Sequence, residues 1–124
     1  MTSPVHADRR HPSEPDGGLD LTALVEELLD QARSLDAGRS GRTLTPGAGA
    51  SLKQTVLAMV ESAHLQDHRA PGPATIQVLR GTIVLGTADS SLELSVGQWA
   101  AIPDETHDVR ATSDAALLLT VAPR

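Results

Sequence analysis

Residues 97–107 of the chain read GQWAAIPDETH, and in this stretch the residues that mark turns and strand ends are clearer than elsewhere in the sequence. A glycine turn leads into a short strand that ends at a proline, a polar loop follows, and a histidine begins the next strand. Glycine gives a turn its backbone freedom, and proline ends a strand because it has no N–H to donate. The stretch therefore predicts two short β-strands joined by an acidic loop, with His107 at the start of the second strand.

Further β-forming runs lie on both sides of this stretch, separated by turn residues. The predicted strands are 52–60, 75–79, 82–85, 92–96, 98–102, 107–111 and 115–121. Their number and spacing are typical of a small sandwich or barrel. Residues 117–119 are apolar on both faces, so the last strand occupies a central position or hides one face at a subunit contact.

The segment before residue 39 has no β-strand pattern and divides into a polar leader and a predicted helix. Residues 1–18 hold prolines, charges and a glycine pair, and they predict a disordered leader in which His6 and His11 have no role. The next segment, 19–38, has leucines at helical spacing, with Asp20 as a candidate N-cap and Gly38 as a stop. We therefore predict an amphipathic helix over about 20–36, packed on its own domain or on a partner, with packing on its own domain preferred. Residues 39–124 form the predicted β domain.

Composition excludes several classes of function. The chain of 124 residues has a net charge of -6 and a single aromatic residue, Trp99, so the features of a nucleic-acid binder are missing. It has no cysteine, so any metal would need nitrogen or oxygen ligands. The longest apolar run is too short for a membrane span, and no secretion signal is present. We expect a cytoplasmic protein with no nucleic-acid or membrane partner.

Three of the five histidines fall in the β region: His64, His68 and His107. In extended backbone, side chains repeat on one face every two residues, so His64, Gln66 and His68 are expected to point the same way. A helix would also place His64 and His68 on one face, but the neighbouring glycine and prolines favour a strand. These side chains are candidates for a metal or polar-ligand site.

These residues resemble the two sequence motifs of the cupin superfamily, and the resemblance covers about 42–124. In the first motif, Ser62 stands at the first glycine and His68 at the first histidine. Ala70 stands at the second histidine, Ala74 at the glutamate and Gly81 at the closing glycine. In the second motif Gly97 and Pro103 match, Glu105 replaces a glycine, His107 comes one residue early, and Ala111 stands at the asparagine. The resemblance implies an all-β fold, a small jelly-roll barrel, here with one N-terminal helix.

The resemblance also implies a possible cofactor, because cupins that bind a metal hold it with three histidines and a glutamate. Ala70 and Ala74 replace two of those four ligands in this chain. His64 is the available substitute, so a divalent metal such as Zn, Fe, Mn or Ni would be held by His64, His68 and His107. Without a metal, the two motif histidines would be polar groups of a pocket.

Gln66, Gln77 and Trp99 are the other candidate pocket residues. Trp99, as the one aromatic residue, is expected to fill the core or a dimer interface, and the alternative is that it stacks on a ligand. Gln77 either lines the pocket or forms cross-strand hydrogen bonds.

Three functions from different classes follow. The preferred hypothesis is a cupin domain that binds a small molecule in its barrel. The alternatives are a metal-dependent cupin enzyme, either a dioxygenase or an isomerase, and a regulatory module whose helix binds another protein. A β domain this small buries little core, so we also predict a homodimer that shares residues 115–121 and the apolar stripe of the helix.

Overall fold

The computed structural model of this chain describes residues 18–45 and 49–124. The predicted leader, 1–18, therefore lies outside the described residues except for Gly18, and so do His6 and His11. Within the described part, no helix combines the length and the apolar character needed to cross a bilayer.

In the described part of the chain, one helix precedes nine strands. The helix α1 spans Leu21–Arg33, and the strands are β1 (Arg39–Thr43), β2 (Lys53–Met59), β3 (His64–His68), β4 (Ala74–Arg80), β5 (Thr82–Gly86), β6 (Ser91–Ser95), β7 (Trp99–Ala101), β8 (His107–Ala111) and β9 (Ala115–Val121). They form a five-stranded sheet in the order β1-β2-β9-β4-β7 and a four-stranded sheet in the order β3-β8-β5-β6. All the pairings are antiparallel. This confirms the predicted mostly-β jelly-roll class, although the sheets face one another without closing.

The main core lies between the two sheets. Ile76, Val78 and Leu117 enter it from the five-stranded sheet, and Ile83 and Val109 enter from the four-stranded sheet. Each of these side chains is at most 1% exposed. Aliphatic side chains thus form most of this core, together with Met59, and each fully buried one contributes roughly 2 kcal/mol.

The helix covers the outer face of the five-stranded sheet. Leu24, Leu28 and Leu29 pack against Val56 and Ala116 in a second apolar cluster. Strand β9 therefore lies at the centre of its sheet, as its apolar pattern predicted, and its first three residues are buried on both faces. The prediction that the helix packs on its own domain is confirmed for the described residues.

The ends of the helix show one agreement and one difference. Asp20 caps the N-terminus, since its carboxylate accepts a hydrogen bond from the Ala23 N–H at 3.1 Å. The helix ends at Arg33, earlier than predicted, because the N–H groups of Ser34 and Leu35 bond three residues back and tighten the last turn. Leu35 consequently lies outside the apolar stripe and is 51% exposed.

The homodimer stays a prediction, but the structure does not support the two surfaces through which it was expected to form. The two surfaces that it was expected to share, β9 and the apolar stripe of α1, belong to layers of one subunit that cover each other. The buried residues of the stripe and Ala116 of β9 are thus packed within one chain, whereas residues 118–121 of β9 are half-buried.

Candidate functional site

His68 and His107 meet at one end of the space between the sheets. They are partners in the register of β3 and β8, and their ring centroids lie 4.4 Å apart at an interplanar angle of 60°. His107 is 2% exposed, whereas His68 is exposed. The strand pairing thus brings together two imidazoles that are distant in the sequence.

Each ring is held by the same type of local hydrogen bond. Nδ1 of His68 lies 2.9 Å from the carbonyl oxygen of Gln66, and Nδ1 of His107 lies 3.0 Å from that of Glu105. A carbonyl oxygen only accepts, so Nδ1 is the donor in both rings. In the neutral rings the proton is therefore on Nδ1, and Nε2 carries the lone pair.

An apolar pocket of about 110 Å³ adjoins the pair. Its aliphatic walls come from both sheets and from the connections between them: Leu65, Ala70, Pro71, Ala74, Ile102, Val109, Leu119 and Val121. The titratable side chains that line it are His68, Arg69 and His107. A cavity of roughly 150 Å³ admits benzene, so this one suits a short aliphatic group.

Arg69 joins the two segments that carry the histidines. Its Nε and Nη2 donate to Oδ1 of Asp104 at 3.2 and 3.1 Å, and Nη2 also donates to the Asp104 carbonyl oxygen at 2.9 Å. Arg69 directly follows His68, and Asp104 lies three residues before His107. This ion pair was not predicted from the sequence, in which the position of Arg69 beside a motif histidine was the available signal.

Comparison with known proteins gives matches in structure. No protein-family model matches the sequence, and no curated protein matches it. The fold is similar to that of a cupin superfamily protein from Desulfitobacterium hafniense, with a TM-score of 0.74 and 14% identity over 93% of this chain and 99% of that one. It is also similar to an RmlC-like cupin from Shewanella frigidimarina, with a TM-score of 0.63 and 16% identity over 73% and 81% of the two chains. A Schizosaccharomyces pombe cupin domain matches with a TM-score of 0.66 and 13% identity over 89% of this chain and 76% of that one.

The chain has a cupin fold. Its backbone agrees with the motif positions, since Ser62, Gly81 and Gly97 all adopt positive φ angles, of 75°, 72° and 86°. Glycine is the residue that takes this conformation without strain. Ser62 is thus a serine in a glycine position of the cupin fold.

His64 does not join His68 and His107 at the apolar pocket. The pairing of β3 with β8 shifts register between Leu65 and His68, and this irregularity breaks the two-residue alternation. His64 instead lies on the outer face, where its Nε2 is 2.6 Å from Oδ2 of Asp108. Gln66 is exposed and lines a surface depression with His64. The prediction that His64, Gln66 and His68 share a face is wrong.

The donor set does not fit the metal centre that the cupin resemblance implied. Within residues 18–45 and 49–124, no group of three or more histidine and acidic side chains lies close enough together to hold a metal ion. Ala70 and Ala74, which replace two ligands of the motif, line the pocket as methyl groups. Two imidazoles alone leave a divalent metal short of the three or four protein ligands that stable sites provide. The predicted three-histidine site is therefore not formed.

Gln77 and Trp99 lie away from the apolar pocket. They are cross-strand partners of β4 and β7 on the outward face of the five-stranded sheet. The inward positions belong to Ile76 and its partner Ala100. Trp99 is 59% exposed, so it does not fill the core, while its place in a dimer interface stays a prediction. Neither residue lines the pocket.

Proposed function

We propose that this chain is a small-molecule-binding domain whose ligand occupies the apolar pocket beside His68 and His107. The observation that carries the proposal is the pair of imidazoles, each tied through Nδ1 to a backbone carbonyl. This bond orients each ring and leaves Nε2 as the atom that a ligand can reach. A site with few polar groups on apolar walls is typical of small-molecule recognition.

The chemistry of these atoms defines the ligand. Neutral Nε2 is a hydrogen-bond acceptor, so it pairs with a hydroxyl or N–H of the ligand. The aliphatic walls favour a short branched carbon chain, since apolar burial is the main source of affinity in such a site. The ligand is thus a small molecule with an alkyl end and at least one hydroxyl or N–H group.

The alternatives from the sequence have less support. The enzyme hypothesis required His64, His68 and His107 on one metal, and His64 lies on the outer face. The regulatory hypothesis required an available helix stripe, whereas that stripe packs on β2 and β9.

Titration with isopropylethylene glycol tests the proposal. This diol carries a branched alkyl end and two hydroxyl donors, and it has no charge. We expect saturable shifts of the ring resonances of His68 and His107 in NMR spectra, with a dissociation constant on the order of 1 mM for so small a molecule. His64, on the outer face, is the internal control, and its ring resonances should not move.

A matched pair of variants locates the binding. His107→Ala removes one acceptor from the pocket, and His64→Ala removes a histidine from the outer face. We expect the first variant to weaken binding of the diol at least about fivefold, since a hydrogen bond of roughly 1 kcal/mol is lost. Equal binding by both variants, or no saturable shift in the unmodified protein, would refute the proposed function.

A further inference from the structure

We infer that the natural ligand of the pocket is a small α-hydroxy carboxylate, and that Arg69 binds its carboxylate group. This inference rests on the proposed function, because it concerns the same pocket. It adds a charged group to the ligand and assigns a specificity-determining residue.

The charge of the pocket is the first observation. The chain as a whole has a net charge of -6. The titratable side chains that line the pocket are nevertheless His68, Arg69 and His107, and no carboxylate of the described residues lines it. Because the two histidines act here as neutral acceptors, Arg69 supplies the positive charge of this lining, and its guanidinium favours an anionic ligand over a cationic one.

The geometry of Arg69 is the second observation. Nε and Nη2 of its guanidinium both reach Oδ1 of Asp104, so the group is already arranged to bind a carboxylate. The Asp104 side chain is thus a tethered carboxylate that occupies Arg69 when no ligand is bound.

The exposure of the Arg69–Asp104 pair favours its exchange for a ligand carboxylate. The side chains of Arg69 and Asp104 are 60% and 72% exposed. Exposed ion pairs contribute little to stability, so breaking this one costs little. A ligand carboxylate can take the place of the Asp104 side chain, while the bond from Nη2 to the Asp104 carbonyl keeps the guanidinium at the pocket.

The histidines place the second polar group of the ligand. Arg69 directly follows His68 and lines the same pocket, so the two residues serve neighbouring groups of one small ligand. The neutral Nε2 acceptors suit a hydroxyl beside the carboxylate, and they disfavour a second carboxylate. The remaining alkyl group enters the aliphatic cavity, whose volume of about 110 Å³ limits it to a few carbon atoms.

A matched pair of probes tests this inference separately from the proposed function. α-Hydroxyisovalerate and isopropylethylene glycol have the same carbon skeleton, and a hydroxymethyl group in the second replaces the carboxylate of the first. By NMR titration near neutral pH, we expect the acid to bind about fivefold more tightly than the diol. If the diol binds and the acid binds no more tightly, the inference is overturned and the proposed function stands. If neither binds, both are overturned.

Three variants test the assigned residue. Arg69→Gln should abolish the preference for the acid, measured as the ratio of the dissociation constants of the diol and the acid for the same variant. Asp104→Asn should raise the affinity for the acid and leave that for the diol unchanged, because it removes the competing internal carboxylate. Arg110→Gln is the control, since this exposed arginine lies on β8 next to inward-facing Val109 and does not line the pocket. An unchanged preference in Arg69→Gln, or weaker binding of the acid by Asp104→Asn, would overturn the assignment.

Discussion

The rings of His68 and His107 lie 4.4 Å apart, and each donates its Nδ1 proton to the carbonyl oxygen two residues earlier in the chain. Two imidazoles in the same hydrogen-bonding arrangement thus both have Nδ1 bonded to the backbone, and Nε2 is the other ring nitrogen of each. His64 has the reverse arrangement, because its Nε2 lies against the carboxylate of Asp108.

This contrast predicts two tautomers in one protein. Under mildly alkaline conditions, where imidazole side chains are neutral, His68 and His107 should carry the proton on Nδ1. His64 should carry it on Nε2, because a carboxylate accepts and does not donate. Two-bond proton–nitrogen NMR correlations distinguish the tautomers. The same tautomer in all three rings would contradict the hydrogen bonding described here.

The left-handed backbone at Ser62 predicts a stabilising substitution. Ser62→Gly should raise the free energy of unfolding by about 0.5–1 kcal/mol, because glycine removes the strain of a φ angle of 75°. Part of the gain is offset by the greater freedom of glycine in the unfolded chain. Urea denaturation measures the change, and a destabilised variant would contradict the prediction.

The two motif glycines provide the matched comparison. Both have positive φ, but a Cβ on Gly97 meets nothing within 4 Å, whereas one on Gly81 would collide with the backbone oxygen of Asp114. Gly97→Ala should therefore cost about 1 kcal/mol, and Gly81→Ala should cost distinctly more. Equal losses in the two variants would contradict the packing around Gly81.

The contact between helix and sheet predicts a large loss at Leu29. This side chain is 0% exposed and packs on the outer face of the five-stranded sheet. Leu29→Ala should lower the free energy of unfolding by about 3 kcal/mol through lost burial and the cavity left behind. Leu35→Ala, at a leucine that is 51% exposed, should change it by less than about 0.5 kcal/mol. Similar losses in the two variants would show that the helix does not pack as described.

Much of the fold could be predicted because its strands have clear apolar patterns. The predicted strands 107–111 and 115–121 coincide with β8 (His107–Ala111) and β9 (Ala115–Val121). Strand β1 was not predicted, because its sequence RSGRT contains no apolar residue. Its position depends on pairing with β2 and on contact with the helix, and neither leaves a pattern within the strand itself.

The site was less predictable than the fold. His68 and His107 were identified by their spacing, and the structure brings them together. The error at His64 has a specific cause, since a register shift within β3 moves side chains to the opposite face without changing the sequence pattern. Trp99 was expected in the core or in a dimer interface, and strand alternation excludes the core by giving the inward position to Ala100.

Asp114 predicts a dependence of stability on acid. Its carboxylate accepts hydrogen bonds from the Glu61 N–H at 2.9 Å and from Arg33 at 3.2 Å, and these lower the pKa of Asp114 below its ordinary value. A carboxyl group with a lowered folded-state pKa stabilises the protein above the unfolded pKa. That stability is lost as the pH falls through the folded pKa.

Asp114→Asn should therefore lose stability near neutral pH and show a shallower decline in acid than the unmodified protein. The effect should be small, because the Asp114 side chain is 39% exposed and solvent screens its ion pair with Arg33. Urea denaturation at a series of pH values from neutral to acidic measures how the free energy of unfolding of each protein declines with pH. Parallel curves for the two proteins would contradict the role given to Asp114.

The position of the ligand itself provides the most direct measurement. In a saturated mixture of the protein and isopropylethylene glycol, intermolecular nuclear Overhauser effects report which methyl groups are in contact. We expect effects from the methyl groups of the diol to those of Val109 and Leu119, which line the pocket from opposite sheets. Overhauser effects from the diol only to residues on the outer faces, or no such effects at saturation, would show that the space beside His68 and His107 is not a binding pocket.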